Sequence, residues 1–313
     1  MHQLPFEQVK RKLLFKRKVV IRDLAPRTAE QLLAFGIINV DKPSGPKSIH
    51  VVNEVRAITG QPKCGHAGTL DPITTGVLPV GLGKALKVLP VLSIAGKVYG
   101  TTMKLHGEVS RDRLEEAFKK FTGKIIQTPP RISAVARRPR EREIYWAEIL
   151  DVRDRVVVFE MGCQHGTYVR KWVHDLGQDL GIGAHMFALV RLQAGPLKLA
   201  GAVSLKELKE NFEKYKETRR DKYIQEVVLP PEECVGHLPA VYVDDGTLDY
   251  LKHGSPVFAP GIVAVTSELK KLDVVGIFDT KSNLLAIGIA EMDAEEILEA
   301  KKGLAIKTDF VVV

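Results

Sequence analysis

Apolar and polar positions follow three different rhythms along the chain. From Gly36 to about Ala200, short apolar runs alternate with amphipathic stretches of helical period. Gly36–Val40 reads as a strand, and Asp41-Lys-Pro-Ser-Gly-Pro46 as a turn-rich loop. Ser48 is a candidate cap for a helix from about Ile49 to Ile58, because Val51, Val52, Val55 and Ile58 share one stripe. Cys64–Gly76 holds three glycines and a proline with almost no apolar period, so it reads as a shaped loop. Gly76–Val80 resumes as strand, with a short helix near Lys84–Leu89. Gly96–Leu105 reads as a strand carrying Tyr99. Ser110 precedes an amphipathic helix marked by Leu114, Ala117, Phe118 and Phe121 and stopped by Gly123. Tyr145–Val152 and Val156–Cys163 read as strands, a helix runs from Gly166 towards Leu180, and Ala188–Leu192 is strand-like.

Residues 203–235 form the second texture, a charged helical connection. After Pro239 the third begins, with short strands at Val241–Val243, Val257–Phe258, Ile262–Val265, Val274–Phe278, Leu284–Ala290 and Leu304–Lys307. That spacing predicts a small β-barrel of about 75 residues. The expected class is α+β: a mixed, largely antiparallel sheet with flanking helices in 36–235, and the barrel in 236–313. Residues 1–35 form a basic extension. Seven positive charges lie between Lys10 and Arg22, interleaved with apolar residues. This segment is either a solvated flank with one strand at Lys18–Ile21, an arm facing RNA, or a strand packed on the C-terminal domain.

The net charge of +8 and a pI of about 9.2 favour polyanionic partners. No apolar run reaches the length of a membrane-crossing helix, and the N-terminus lacks a secretory h-region, so neither a membrane nor secretion is expected. Three cysteines are too few for a disulfide framework and fit a reducing compartment. Cys64-Gly-His66 and Cys163-Gln-His165 match no common zinc spacing, so free thiols are expected and no metal.

The richest chemistry lies in Gly65-His-Ala-Gly-Thr-Leu-Asp-Pro-Ile-Thr-Thr-Gly-Val-Leu78. The glycines permit unusual backbone angles, and Pro72 biases Asp71 towards extended geometry. A carboxylate in so stiff a frame suits a nucleophile or base; equally, Asp-Pro commonly caps a turn. A second cluster is Arg131, Arg137, Arg138, Arg140 and Arg142, set among Pro129, Pro130 and Pro139. These guanidinium groups suit phosphate, or form a solvated basic loop.

The Asp71 segment resembles the catalytic loop of TruB-type pseudouridine synthases. Other segments follow in the family's order: Asn39-Val-Asp-Lys-Pro-Ser-Gly-Pro46, Ala95-Gly-Lys-Val-Tyr99, Leu105-His-Gly-Glu-Val109, Phe121-Thr-Gly-Lys-Ile125, Thr128-Pro-Pro-Arg-Ile-Ser-Ala-Val135, Gly166-Thr-Tyr-Val-Arg170 and Gly183-Ala-His-Met186. His253-Gly-Ser-Pro-Val257 and Ala259-Pro-Gly-Ile262 resemble a PUA domain. Within the family, the chain is most similar to the catalytic subunit of box H/ACA ribonucleoproteins, the archaeal and dyskerin-like branch.

That resemblance implies an isomerase converting uridine in RNA to pseudouridine without a cofactor. Asp71 would be the catalytic carboxylate, Tyr99 would stack on the uracil, and Arg170 would pair with Asp71. Tyr168 would lie beside them and Leu189 beneath the base. His66 would contact the RNA. Lys42, grouped with the RNA-binding residues, would with Pro43 support the loop from behind. Implied partners are a guide RNA and a substrate RNA (rRNA or tRNA), two small protein subunits on the catalytic domain, and a kink-turn-binding protein on the guide. The place would be the archaeal cytoplasm, or a eukaryotic nucleolus. The alternatives are a stand-alone enzyme for the tRNA T-arm, a catalytically silent RNA-binding scaffold, and a zinc enzyme using the Cys-x-His pairs. The sequence departs from the family where Ala188, Val190 and Gln193 replace an acid and two arginines, and around Lys47, Ile49 and His50.

Overall fold

A computed structural model describes residues 2–129 and 138–312. Arg131 and Arg137 therefore lie outside the described residues. The larger sheet runs in the order Ile37–Lys42, Thr75–Leu82, Ala184–Ala194, Lys97–Leu105, Val156–Cys163, Arg140–Arg153, Gly123–Gln127. Cys64–His66 pairs on Thr75–Leu82, and Leu197–Lys198 folds back on Ala184–Ala194. All neighbours are antiparallel except Thr75–Leu82 with Ala184–Ala194. The class is mixed α+β, as the sequence pattern predicts.

Helices cover both faces of this sheet. Helix Ser48–Thr59 buries Val51, Val52 and Val55 with Leu208 and Phe212 of helix Leu205–Thr218. On the other side, helices Arg111–Lys120 and Val169–Asp179 enclose Trp172, which is fully buried between Phe118 and Phe159. The ring meets Phe118 edge-on at 5.1 Å, and its indole N–H donates to the Phe121 carbonyl at 3.0 Å. The buried indole thus has its one donor satisfied, which makes full burial tolerable.

The C-terminal sheet has seven strands in the order Leu13–Phe15, Ile262–Thr266, Ala240–Val243, Val274–Phe278, Leu284–Ala290, Leu304–Val311, Val257–Phe258. It curls around a core that includes Val265, Val275, Ile277 and Ile306. Two short helices were not legible in the strand pattern, Asp245–Lys252 and Ala294–Glu299. Both begin on aspartate caps: Asp244 accepts from the Thr247 N–H, and Asp293 forms a capping box with Glu296.

The N-terminal extension supplies a strand to this sheet, but at Leu13–Phe15 rather than Lys18–Ile21. Its positive charges fix it there. Lys16 donates to the carbonyls of Ala259, Ile297 and Ala300, and Arg11 pairs with Glu268 while donating to the Gly236, His237 and Leu238 carbonyls. These cations hold backbone, which withdraws them from RNA. The two sheets also share an apolar seam, where Leu89, Val91, Leu92, Cys234 and Leu238 meet Leu284, Ile287 and Val312.

Two local readings change. Ser48 does not cap its helix; its hydroxyl instead grips both the N–H and the carbonyl of Leu70, at 2.9 and 3.0 Å. The short helix near Lys84–Leu89 is a 3-10 turn, Gly83–Lys87, followed by helix Leu89–Ile94.

Candidate active site

The chain leaves strand Cys64–His66, turns at Asp71 and returns as strand Thr75–Leu82. Asp71, Pro72, Ile73 and Thr74 form the turn itself, closed by the Thr74 N–H on the Asp71 carbonyl at 3.0 Å. Three buried groups hold it. Ser48 fixes Leu70 as described. Lys42 is fully buried and directs its ammonium to the carbonyls of Pro72 at 3.0 Å, Thr74 at 2.8 Å and Pro43 at 2.8 Å. Burial pushes the Lys42 pKa down, and the Asp71 charge opposes that shift. Arg191, only 1% exposed, donates through Nε to the Val77 carbonyl at 2.6 Å and through Nη2 to that of Gly68 at 2.9 Å.

Two glycines are demanded by this packing. Gly68 has φ +77° and Gly76 φ +95°, the left-handed region that side chains avoid. A Cβ on Gly76 would lie 2.3 Å from the Arg191 carbonyl oxygen.

Arg170 reaches the loop from the first turn of helix Val169–Asp179. Its Nη2 lies 2.7 Å from the Asp71 Oδ2, although 99 positions separate the two in sequence. Gln127 anchors this helix start by accepting from the Tyr168 N–H and donating to its carbonyl. Both side chains of the ion pair are 57% exposed. The Asp71 carboxylate therefore faces solvent rather than a dry pocket. An open pair of this kind contributes about 0–1 kcal/mol to stability, so its geometry matters more than its energy.

Tyr99 lies on Lys97–Leu105, two strands from Thr75–Leu82 and next to Arg191, half-buried, with its hydroxyl in hydrogen-bonding reach of the Arg191 guanidinium. Burial raises its phenol pKa, and the Arg191 charge pulls it back. Leu189 is half-buried opposite Thr101, two residues along from Tyr99. His66 is half-buried on its strand, and burial with the Arg191 charge lowers its pKa. The ensemble is an accessible carboxylate on a rigid frame, oriented by a guanidinium, beside an aromatic ring and an aliphatic side chain. It can hold a planar base next to a fixed negative charge.

Residues 56–169 match the TruB family pseudouridylate synthase N-terminal domain, 170–236 the tRNA pseudouridylate synthase B C-terminal domain, and 239–312 the PUA domain. A "Probable tRNA pseudouridine synthase B" of Nanoarchaeum equitans is 43% identical over 98% of this chain and 90% of its own length. The chain belongs to the TruB family of pseudouridine synthases. A relative of the same name in Methanopyrus kandleri is 44% identical over 92% of this chain and 85% of its own. Among solved structures, this TruB-family chain is similar to one in a Cbf5–Nop10–Gar1 complex, with TM-score 0.93, 39% identity and coverage of 99% and 96% of the two chains. It is also similar to a chain of an H/ACA RNP bound to a substrate RNA containing 2'-deoxyuridine, with TM-score 0.91, 36% identity and coverage of 99% and 97%.

The structure joins Asp71 to Arg170, sets Tyr168 beside Arg170 at the start of its helix, and brings Tyr99 and His66 within the field of Arg191, with Leu189 two residues before it on the same strand of the TruB-family sheet. It corrects Lys42: a fully buried ammonium whose three protons meet three carbonyls has nothing left for RNA, and its place is behind the loop with Pro43. Of the arginine cluster, Arg138 is exposed, whereas Arg140 and Arg142 lie half-buried on strand Arg140–Arg153, opposite Gln127 and Ile125. Ser48, Gln127 and Arg191 were missed. Arg191 carries a legible signal, a lone arginine between Val190 and Leu192 in an apolar strand. The hydroxyl of Ser48 and the amide of Gln127 carry none until the fold closes around them. Among the described residues no three His, Cys, Asp or Glu side chains stand as a metal cluster, and the three thiols are free. Among the same residues no helix is long and apolar enough to cross a membrane.

Proposed function

We propose that this pseudouridine synthase acts under the direction of a guide RNA, within a box H/ACA-type ribonucleoprotein, with Asp71 as its catalytic carboxylate. One observation carries the assignment of Asp71: a solvent-open carboxylate at the tip of an otherwise clamped loop, paired to Arg170 at 2.7 Å. Every other polar anchor of the loop is internal, so Asp71 is the group the frame exists to present.

The reaction is an isomerisation. The N1–C1′ bond of uridine breaks, with the electron pair leaving on the uracil. The base turns, C5 bonds to C1′, the C5 proton departs and N1 gains one. Asp71 either attacks C1′, forming an ester that C5 then displaces, or removes the C2′ proton to give a glycal and returns it as C5 bonds to C1′; Arg170 aims the carboxylate in either case. A uridine must leave its stack to reach it, and Tyr99 offers the flipped base a ring, with Leu189 beneath. Tyr168 lines the same corner. His66, the exposed Arg138 and the half-buried Arg140 and Arg142 contact flanking RNA, Arg through its phosphate-matching fork.

The assembly reading is supported by similarity along nearly the full chain to a protein solved with Nop10 and Gar1 and to one solved in an H/ACA RNP with substrate RNA. Two small subunits would then sit on the catalytic domain, a kink-turn-binding protein on the guide, and the C-terminal domain on the guide's lower stem. Base pairing would select the uridine. That these relatives are archaeal supports a cytoplasmic location. A second reading, a stand-alone enzyme of the tRNA T-arm, is favoured by the relatives' name, tRNA pseudouridine synthase B. Tritium release from C5-labelled uridine separates them. Release from an rRNA-type target only with a matching guide and the small subunits supports the first reading. Release from a tRNA transcript by the chain alone supports the second.

A further inference from the structure

Strand Ala184–Ala194 runs between Thr75–Leu82 and Lys97–Leu105, and its register sets Arg191 directly beside Gly76 on one neighbour and Tyr99 on the other. Its side chain is almost wholly enclosed. A cation so buried is normally matched by a carboxylate, because desolvation of an unpaired charge is costly. Among the described residues no acid pairs with Arg191. Its donors reach three separate pieces of the site instead. Nη2 meets the Gly68 carbonyl at 2.9 Å, on the chain approaching Asp71. Nε meets the Val77 carbonyl at 2.6 Å, on the chain leaving it. The Tyr99 hydroxyl lies in reach of the same fork. Gly68 is shaped to it, since a Cβ there would stand 3.1 Å from Nη1.

An apolar side chain would fill this strand position with less desolvation. What it could not do is join the two arms of the Asp71 loop to the ring on the adjacent strand. Lysine carries its three donors on one nitrogen and serves acceptors gathered around that point, as Lys42 does, whereas a planar guanidinium spreads its donors over three nitrogens and can bridge acceptors set well apart. We propose that Arg191 is a positioning residue of the reaction, locking the Asp71 loop and the Tyr99 hydroxyl into one rigid unit that fixes the carboxylate and the ring on the same base. It touches neither the sugar nor the base. It acts through Asp71 and Tyr99, and so the inference rests on the catalytic reading of those two residues.

The test uses the full chain with whichever RNA and partners give turnover. Arg191→Lys removes the fork and keeps the charge. Gly68→Ala keeps Arg191, crowds its Nη1 and puts a side chain at a positive-φ position of the loop. Folding is followed by melting temperature, RNA affinity by filter binding, and chemistry by single-turnover tritium release. Both variants should remain folded at the assay temperature and bind RNA within about threefold of wild type, yet lose at least about thirtyfold in single-turnover rate, the scale of a small misplacement of reacting groups. In a Tyr99→Phe background, Arg191→Lys should cost less than it does in wild type, because the link between loop and ring is already cut while the contacts to Gly68 and Val77 remain to be lost. Should Tyr99→Phe alone abolish turnover, the first comparison decides. Rates within about threefold of wild type, rate losses no larger than the losses in folded fraction and RNA affinity, or full multiplication of the two substitutions overturns the inference. Wild-type protein that releases no tritium would instead overturn the catalytic reading itself.

Discussion

Replacing Lys42 with methionine isolates the clamp beneath the Asp71 turn. The side chain is fully buried, so methionine fits the volume, while the longer, forked arginine does not. Three carbonyls lose their shared donor. Pro72 keeps the Gly45 N–H at 2.9 Å, which leaves Pro43 and Thr74 without one. Each buried acceptor left unmade costs about 1–3 kcal/mol, or about 2–6 kcal/mol for the two. Against this stands relief of a buried ammonium. Burying the ammonium carries a desolvation cost, which is what lowers the Lys42 pKa, and removing the charge returns part of the loss. The remainder falls on the turn rather than on the sheet core. Melting temperature should drop by only a few degrees, about 2–4 °C for each kcal/mol that is global. Turnover should fall about a hundredfold, the scale of an ångström of misplacement at the reacting carboxylate. Single-turnover tritium release beside a melting curve reads both. A rate within about threefold of wild type would show that the turn holds its shape without Lys42 and would refute the clamp.

Other outcomes follow from the same geometry. Gly76→Ala forces a positive-φ residue and a 2.3 Å contact onto the Arg191 backbone, so it should cost more than about 2 kcal/mol in a urea melt; a change below about 0.5 kcal/mol would contradict the packing. His237 sits at the domain seam with its pKa driven by burial from 6.5 to about 4. Its folded pKa lies below the unfolded one, so the stability it contributes is complete above pH 6.5 and is lost as pH falls through about 4. His237→Asn should flatten the melting temperature across that window, and parallel pH curves for the two proteins would remove the histidine from the account. Deleting residues 239–313 would expose Leu89, Val91, Leu92 and Leu238 and strand Leu13–Phe15 without its partner. The truncated chain should bind an apolar dye and aggregate on concentration; a monodisperse, cooperatively melting fragment would show the seam to be dispensable.

The period of the apolar residues made most of the elements legible, because strand and helix stripes reflect which side of the backbone meets the core. Helix Arg111–Lys120 and strand Val156–Cys163 stand where Leu114 to Phe121 and the valine run put them. The pattern failed where a short element is set by polar contacts. Lys18–Ile21 is apolar enough for a strand, yet Leu13–Phe15 pairs, since Lys16 and Arg11 have carbonyls to grip only in that register. At the site, Asp71, Tyr99 and Arg170 were reachable from the motifs that carry them. The place of Lys42 behind the loop was reachable in the same way, but the backbone carbonyls and amide that Lys42, Ser48 and Arg191 grip are spelled out by no motif. The openness of the Asp71–Arg170 pair could not be read either, because exposure depends on what the neighbouring strands leave uncovered.

The central claim is that Asp71 performs the chemistry, and Asp71→Asn tests it with the least disturbance, since asparagine keeps the shape and one acceptor of a turn that is held by other residues. Tritium release from C5-labelled substrate RNA should be lost, while RNA binding and melting temperature stay at wild-type values. Asp71→Asn turnover within about tenfold of wild type, a barrier change of only about 1.4 kcal/mol, would contradict it.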